Sequence, residues 1–242
     1  MSRLASRLTA TAATGIGAAL AIHAAPAAMF WPALRLRFWP ALAGIGDDRH
    51  VALTFDDGPN PSSTPHFLAE LERRKIRATF FLLGSQLERT PRLGAEIASA
   101  GHEVALHGWH HRRLVWYGPR RTYDELARGR DLIAATTGTP PRWFRPPYGV
   151  VTTAALVSAR RLGLTPVLWS CWGWDWSAHS TPDSVFDTVT HGLTGGGTIL
   201  LHDSDVAASP GAWKSTLAAL PRLLDECERR GLTVGPLRDH RV

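Results

Sequence analysis

The chain has 242 residues, 44% of them hydrophobic and 20% charged, with a formal net charge of +6 and a sequence pI of about 10.1. That composition suits one globular domain with additions, large enough to bury a core without disulfides. The excess positive charge permits attraction to anionic lipid or an acidic cell wall. The basic residues are scattered arginines diluted by acids, as in ELERRKIR, and no helix-turn-helix, RNA-binding aromatic motif or zinc-finger spacing accompanies them, so nucleic acid is not an expected partner.

The N-terminus comes first in chain order. Arg3 and Arg7 precede a stretch from Leu8 to Leu34 that contains no Asp, Glu, Lys or Arg. A basic start, an apolar middle and small residues around HAAPAA fit a secretory signal. The run also has the roughly 20 apolar residues that a membrane span needs, although Pro26, Pro32 and many alanines weaken it. RLRFWPAL comes next, basic and aromatic, as expected beside a membrane surface. Cleaved signal and uncleaved anchor are both admitted, and both export the folded domain. The expected organisation is a hydrophobic segment and juxtamembrane linker over 1–49 and a folded catalytic domain over 50–242.

From His50 onward, strand and helix alternate. VALTF (51–55) reads as a buried strand that Asp, Gly and Pro then stop. A helix is expected over 65–74, with Thr64 as its cap and Pro65 in its first turn. ATFFLL (78–83) is a second strand and PRLGAEIASA a helix ending at Gly101. EVAL (103–106) is a short strand, 122–136 an amphipathic helix, RWF (142–144) a strand remnant and 153–162 a helix. TPVLWS (165–170) is a strand, 182–190 a helix and TILL (198–201) a strand. A last helix over 214–230 precedes LTV (232–234). This alternation implies an α/β fold with a parallel sheet and helices outside. No G-x-G-x-x-G follows the first strand, so the expectation is a distorted (β/α) barrel of about seven parallel strands, preceded by the hydrophobic segment. Cys171 and Cys227 read as two buried thiols and leave the compartment open.

Titratable residues recur after these strands. Asp56 and Asp57 follow the first, His107 and His111 the third, and Arg145 follows RWF. Asp175 follows TPVLWS, and His202 and Asp203 follow TILL. Their recurrence at one end of the barrel argues for a catalytic centre. Two adjacent carboxylates repel unless a cation sits between them or one holds a proton. Asp57 with two histidines spaced i, i+4 suits Zn²⁺ or a similar divalent ion, although His110 could stand in for His111. Trp169, Trp172, Trp174 and Trp176 suit either sugar stacking or packing, while Trp109, Trp143 and His102 read as structural. His23, His50, His66, His179, His191 and His240 have no evident partner and are expected at the surface.

TFDDGP, the H-x-x-x-H after GHEVAL, RPPYG, DW and LLHD appear in that order. Together they resemble the five motifs of the polysaccharide deacetylases, the NodB homology domain of carbohydrate esterase family four, over roughly 51–234. The resemblance implies a metal-dependent N-deacetylase acting on an acetylated glycan. It makes Asp57, His107 and His111 the metal ligands, with Zn²⁺ the expected ion and Co²⁺ or another divalent ion admitted. It makes Asp56 the general base, held by Arg145, and gives the Tyr148 backbone N–H to the oxyanion. His202, oriented by Asp175, is the general acid. Two positions depart from the pattern. Gly108 stands where the family has Ser or Thr, and Trp172 where an acidic residue is frequent; neither removes a ligand, the base or the acid. Within the superfamily, deformylation of lipid-linked aminosugars and a non-catalytic glycan-binding module remain as alternatives.

Overall fold

A computed structural model describes residues 17–242 of the chain. The expectations for Arg3, Arg7 and the first part of the uncharged run lie outside the described residues. Among the described residues eight strands form one parallel sheet. β1 (His50–Asp56) is central, between β2 (Thr79–Leu82) and β7 (Thr198–His202). β3 (Glu103–Leu106), β4 (Trp143–Phe144) and β5 (Thr165–Pro166) continue beyond β2, and β6 (Cys171–Trp172) lies beyond β7. β8 (Thr233–Gly235) pairs with the first residues of β1. The sheet curls into an incomplete barrel, and among the described residues no ladder joins β5 to β6.

All the expected strands are present, but of TPVLWS only Thr165–Pro166 is strand, and a separate strand, Cys171–Trp172, follows it. The rest of TPVLWS leaves the ladder because its amides serve different partners. Val167 N–H donates to Phe144 O and Ser170 N–H to Thr198 O, so the chain crosses from one edge of the sheet to the other. Between them Leu168 N–H donates to Leu42 O at 2.6 Å. Six helices stand where the alternation places them: Thr64–Arg74, Pro91–Ser99, Pro119–Thr137, Thr153–Arg161, Pro182–Gly192 and Trp213–Arg229. Thr64 is the first helical residue rather than the cap, and its hydroxyl donates to buried Asp203 without accepting from a first-turn amide of the helix. A further helix, Gly84–Arg89, has no apolar period to betray it; its first amides, Gly84 and Ser85, donate to Gly108 O and Trp109 O.

The period of two along the strands decides what enters the barrel. Val51, Leu53 and Phe55 face outward, where they join Phe67, Leu71, Phe80 and Leu82 in the core beneath the helices. The Phe55 ring lies 5.2 Å from Phe67 and 5.1 Å from Phe80. Losing such a ring costs about 3–5 kcal/mol. Ala52, Phe81, Ala105 and Trp143 face inward, packed with Val167 and Leu237. The same parity turns Thr54 and Asp56 inward on β1, carries His107 and Arg145 inward just past β3 and β4, and aims His202 inward at the end of β7.

Packing begins before His50. Arg35, on the helix Pro32–Phe38, and Ala43 are both buried. Gly44 O accepts from Thr198 Oγ1 and from His240 Nε2. His240, expected at the surface, is therefore buried; its other ring nitrogen meets His50 Nδ1 at 2.7 Å. Residues 40–46 and the C-terminus cap the barrel together, which brings His240 inside. Cys171 and Cys227 are buried free thiols. Among the described residues no single helix is long and apolar enough to cross a membrane, although Gly17–Phe30 and Pro32–Phe38, bent by 93°, pass that test as a pair.

Candidate active site

Asp56 and Asp57 are neighbours on one chain, yet both side chains enter the barrel mouth. A regular strand would send them to opposite faces. Asp57 breaks the alternation with φ of +77°, the left-handed region that aspartate tolerates better than most residues. Gly58 comes next because a Cβ there would stand 2.6 Å from Asp203 Oδ2. Gly58 O accepts from Leu83 N–H, which ties the turn to the end of β2. The whole turn is buried.

Asp57 Oδ1 lies 3.5 Å from His107 Nε2 and 3.5 Å from His111 Nε2. These three donor atoms are within 4.8 Å of one another. His107 Nδ1–H donates to Arg145 O at 2.8 Å, which leaves the Nε2 lone pair facing Asp57. Burial, followed by the charge of Arg145, holds His107 down at about 3. Burial, with His107 and His202 nearby, does the same for His111. Both imidazoles are therefore neutral, the state in which histidine binds metal. Burial, reinforced by Asp56, Asp203 and Asp175, pushes Asp57 up to about 7 against the opposing His202. Its Oδ1 is buried without a hydrogen-bond partner. An orphaned, crowded carboxylate oxygen facing two neutral imidazoles fits a divalent cation.

Gly108 has φ of +88°, a conformation costly for serine or threonine. The loop that carries both histidines is held instead by its backbone carbonyls on Gly84 and Ser85, and by Trp109, which is buried over Gly84. His111 Nδ1 is left without a partner.

Asp56 is held differently. Arg145 Nη1 donates to Asp56 Oδ1 at 2.6 Å and to Thr54 Oγ1 at 2.9 Å; Nη2 donates to Leu168 O at 2.8 Å. The guanidinium is fully buried, 4.0 Å over the Phe81 ring. Burial raises the pKa of Asp56 while Arg145 and His202 oppose it. One oxygen is fixed, and Oδ2 points toward His107 at 3.6 Å.

Across the mouth, His202 Nδ1–H donates to Asp175 Oδ1 at 2.8 Å, and the His202 backbone N–H to Asp175 Oδ2 at 2.8 Å. Thr216 Oγ1, on the last helix, donates to the same Oδ2. Burial works against a charge on His202, but Asp175, then Asp57 and Asp56, outweigh it and lift the ring to about 10. Tyr148, with φ of +59°, lays its ring 4.3 Å from His111. Trp172 is stacked on Trp174 at 4.4 Å, so the position read as a departure is part of an aromatic rim.

The eight residues singled out in the sequence thus converge on one cavity of about 620 Å³, lined by Asp56, Asp57, His107, His111, Tyr148 and His202 and backed by Arg145 and Asp175. Sequence reasoning gave no role to Asp203, Thr216, Arg35 or Phe30. Asp203 was visible in LLHD; burial pushes it up to about 7 and Thr64 binds it beneath the Asp57 turn. Nothing in the sequence pattern marks the other three.

Comparison with known proteins gives this geometry a family. The sequence model for polysaccharide deacetylases matches residues 43–167. A chitooligosaccharide deacetylase of Bradyrhizobium sp. is 35% identical over 203 residues, covering 80% of this chain and 91% of that protein. The chain belongs to the polysaccharide deacetylase family. Among solved structures, the Bc1960 peptidoglycan N-acetylglucosamine deacetylase superposes with a TM-score of 0.76 at 27% identity, covering 82% of this chain and 90% of that one. A family 4 carbohydrate esterase from Streptomyces lividans, in complex with acetate, gives 0.71 at 32% identity, covering 81% and 97%. The incomplete parallel barrel is the fold of this family.

Proposed function

We propose that this polysaccharide deacetylase homologue is a metal-dependent hydrolase that removes N-linked acetyl groups from acetylated aminosugars of a glycan: chitooligosaccharide, peptidoglycan or a related cell-surface polysaccharide. One observation carries the reading. Asp57, His107 and His111 converge between a carboxylate fixed by Arg145 and a histidine charged by Asp175. Asp57 Oδ1 and the two Nε2 atoms would hold a divalent ion, and the two-nitrogen, one-carboxylate donor set suits Zn²⁺. Bound there, the ion supplies Lewis acidity and makes a water acidic enough to react near neutral pH.

The chain's own residues do the rest. Asp56, with Oδ1 tied to Arg145, accepts the proton of the attacking water at Oδ2. The Tyr148 N–H donates to the oxygen of the amide carbonyl as charge develops on it. His202 is protonated, its Nδ1–H is engaged by Asp175, and its Nε2 proton passes to the departing amine. Acetate and a free aminosugar leave. A glycan-binding module with no catalysis has less support, because every residue proposed as ligand, base or acid is present and lines or backs one cavity.

A lipid-linked aminosugar is a second substrate reading. It is favoured by Phe30, which lines the cavity, and by exposed Trp31, Leu34 and Phe38 beyond it. Acetate or formate release from a panel of acetylated chitooligosaccharide, acetylated peptidoglycan and N-acetylated and N-formylated lipid-linked aminosugars separates the two. Release from the glycans supports the first reading, and release of formate or acetate from the lipid-linked sugars alone the second. Release from none contradicts both.

The expected place of action is outside the cytoplasmic membrane, with the chain secreted or held at its outer face and touching the membrane through the N-terminal segment. The uncharged run and the exposed Leu20, Ile22, Trp31 and Phe38 support it. Cell fractionation with N-terminal sequencing should find the chain exported, either cut near Ala25–Ala28 or intact in the membrane fraction. Soluble full-length protein in the cytoplasm would contradict export.

A further inference from the structure

The N-terminal segment does more than precede the barrel. Phe30, the last residue of the 3-10 helix Ala25–Phe30, lines the same cavity as Asp56, His107 and His202. It rests on the loop that carries Tyr148. A Cβ on Gly149 would meet Phe30 Cδ2 at 3.4 Å and Trp169 Cη2 at 2.7 Å, so glycine there lets both rings close on the backbone. Met29 and Leu42 pack against Val151, Leu168, Trp169 and Leu200.

One residue holds this arrangement. Arg35 is 1% exposed, and among the described residues no carboxylate pairs with it. Burial, and then the charge of Arg145, pulls it down to about 10. A buried cation without a counter-ion is costly, and directed hydrogen bonds offset part of that cost. Here Nη1 donates to Met29 O and Phe30 O, both at 2.9 Å, and Nη2 donates to Trp169 O at 2.8 Å, while Nε is buried without a partner. The guanidinium also lies 5.3 Å over the Trp169 ring, and Arg145 lies 5.9 Å from the same ring. The stretch 167–170, which crosses the gap where the sheet fails to close, is thus gripped at Leu168 O by Arg145, at Leu168 N–H by Leu42 and at Trp169 O by Arg35. Arg145 in turn fixes Asp56.

We propose that residues 29–44 are a working part of the substrate site. Phe30 is a specificity-determining wall that meets the apolar face of the acylated sugar. Arg35 is a positioning residue that ties this wall to Trp169 and, through the 168–169 backbone, steadies Arg145 and Asp56. The proposal rests on the deacetylase reading. It implies that an exported form cut near Ala25–Ala28 keeps its site intact, because Met29, Phe30 and Arg35 all remain.

The test uses full-length, metal-loaded protein and whichever acetylated glycan of the panel the wild type deacetylates. Phe30→Ala should raise KM roughly tenfold, the size of losing one apolar pocket contact, with kcat within about twofold. Calorimetry of the same glycan should show Kd rising in parallel. Arg35→Met should lower kcat roughly tenfold or more, because small displacements of reacting groups are expensive. Arg35→Lys, which keeps a donor, should recover part of that loss. If Phe30→Ala leaves KM and Kd unchanged, the wall is refuted. If Arg35→Met lowers only the melting temperature and leaves kcat and KM alone, Arg35 is structural and the positioning role is refuted. A wild type that releases acetate from no substrate overturns the deacetylase reading itself, a result distinct from either.

Discussion

Asp57→Asn is expected to lose its metal ion, whereas Asp56→Asn keeps the ion and loses the rate. The two carboxylates are adjacent and equally buried, but their surroundings assign them different work. Asp57 Oδ1 has no hydrogen-bond partner and faces two neutral imidazoles. Replacing its charge with a neutral amide removes one of three ligands, so affinity should fall by more than the roughly 10–100-fold that losing an outer partner costs. Asp56 Oδ1 is already occupied by Arg145. Its amide variant keeps an acceptor for Arg145 but no longer takes a proton, and kcat should fall roughly 10²–10⁴-fold with metal content unchanged. Asp56→Asn also leaves the fully buried Arg145 without a counter-charge, and its melting temperature should fall; breaking such a pair costs about 3–5 kcal/mol. A solvated acidic turn would show little change in either variant. Metal loss in Asp56→Asn with retention in Asp57→Asn would reverse the two roles.

Asp175→Asn carries the second large effect. Burial alone would lower the His202 pKa, and Asp175 is the foremost reason that the ring instead rises to about 10. Asp56 and Asp57 add to that rise, so the comparison belongs on metal-loaded protein, where the cation offsets their charge. Removing the Asp175 charge lets desolvation win. His202 then gives up its proton at a lower pH, and the alkaline limb of the kcat profile should move to lower pH by more than about one unit. At a pH between the two limbs the variant should lose about tenfold in kcat for each pH unit above its own limb, up to the roughly 10²–10⁴ that a general acid is worth. Stability should change with the same sign. A histidine whose folded pKa stands above its ordinary 6.5 contributes stability fully present below that pH and lost as pH rises through about 10. Asp175→Asn should erase that alkaline dependence in thermal melts. An unchanged alkaline limb would show that Asp175 does not set the protonation of His202.

The parts of this molecule that are legible in its sequence are those governed by short periods. Continuous apolar runs mark β1, β2, β3 and β7, and parity along β1 and β7 sends Asp56 and His202 inward. Helices with an apolar stripe, such as Pro119–Thr137 and Trp213–Arg229, are equally visible. The rest depends on partners far away in sequence. TPVLWS is apolar enough for one strand, but its amides are shared among Phe144, Leu42 and Thr198, which no local pattern encodes. Gly84–Arg89 is helical because its first amides meet carbonyls of the histidine loop. Thr64 has the chemistry of a cap, yet its hydroxyl is drawn to Asp203, 139 residues away. His240 has no neighbour in sequence that hints at Gly44 and Gly196. Arg35 looks like half of a basic pair beside a membrane, and a guanidinium that bonds three carbonyls around an active site leaves no trace in spacing.

The most direct test is elemental analysis of the full-length protein, purified without chelator, combined with acetate release from an acetylated glycan before and after stripping. The account predicts one divalent ion per chain, zinc by its donor set, release of that ion as pH falls and His107 and His111 take up protons, and loss of deacetylation with the ion and recovery on reloading. Metal-free protein that deacetylates at the full rate would contradict it.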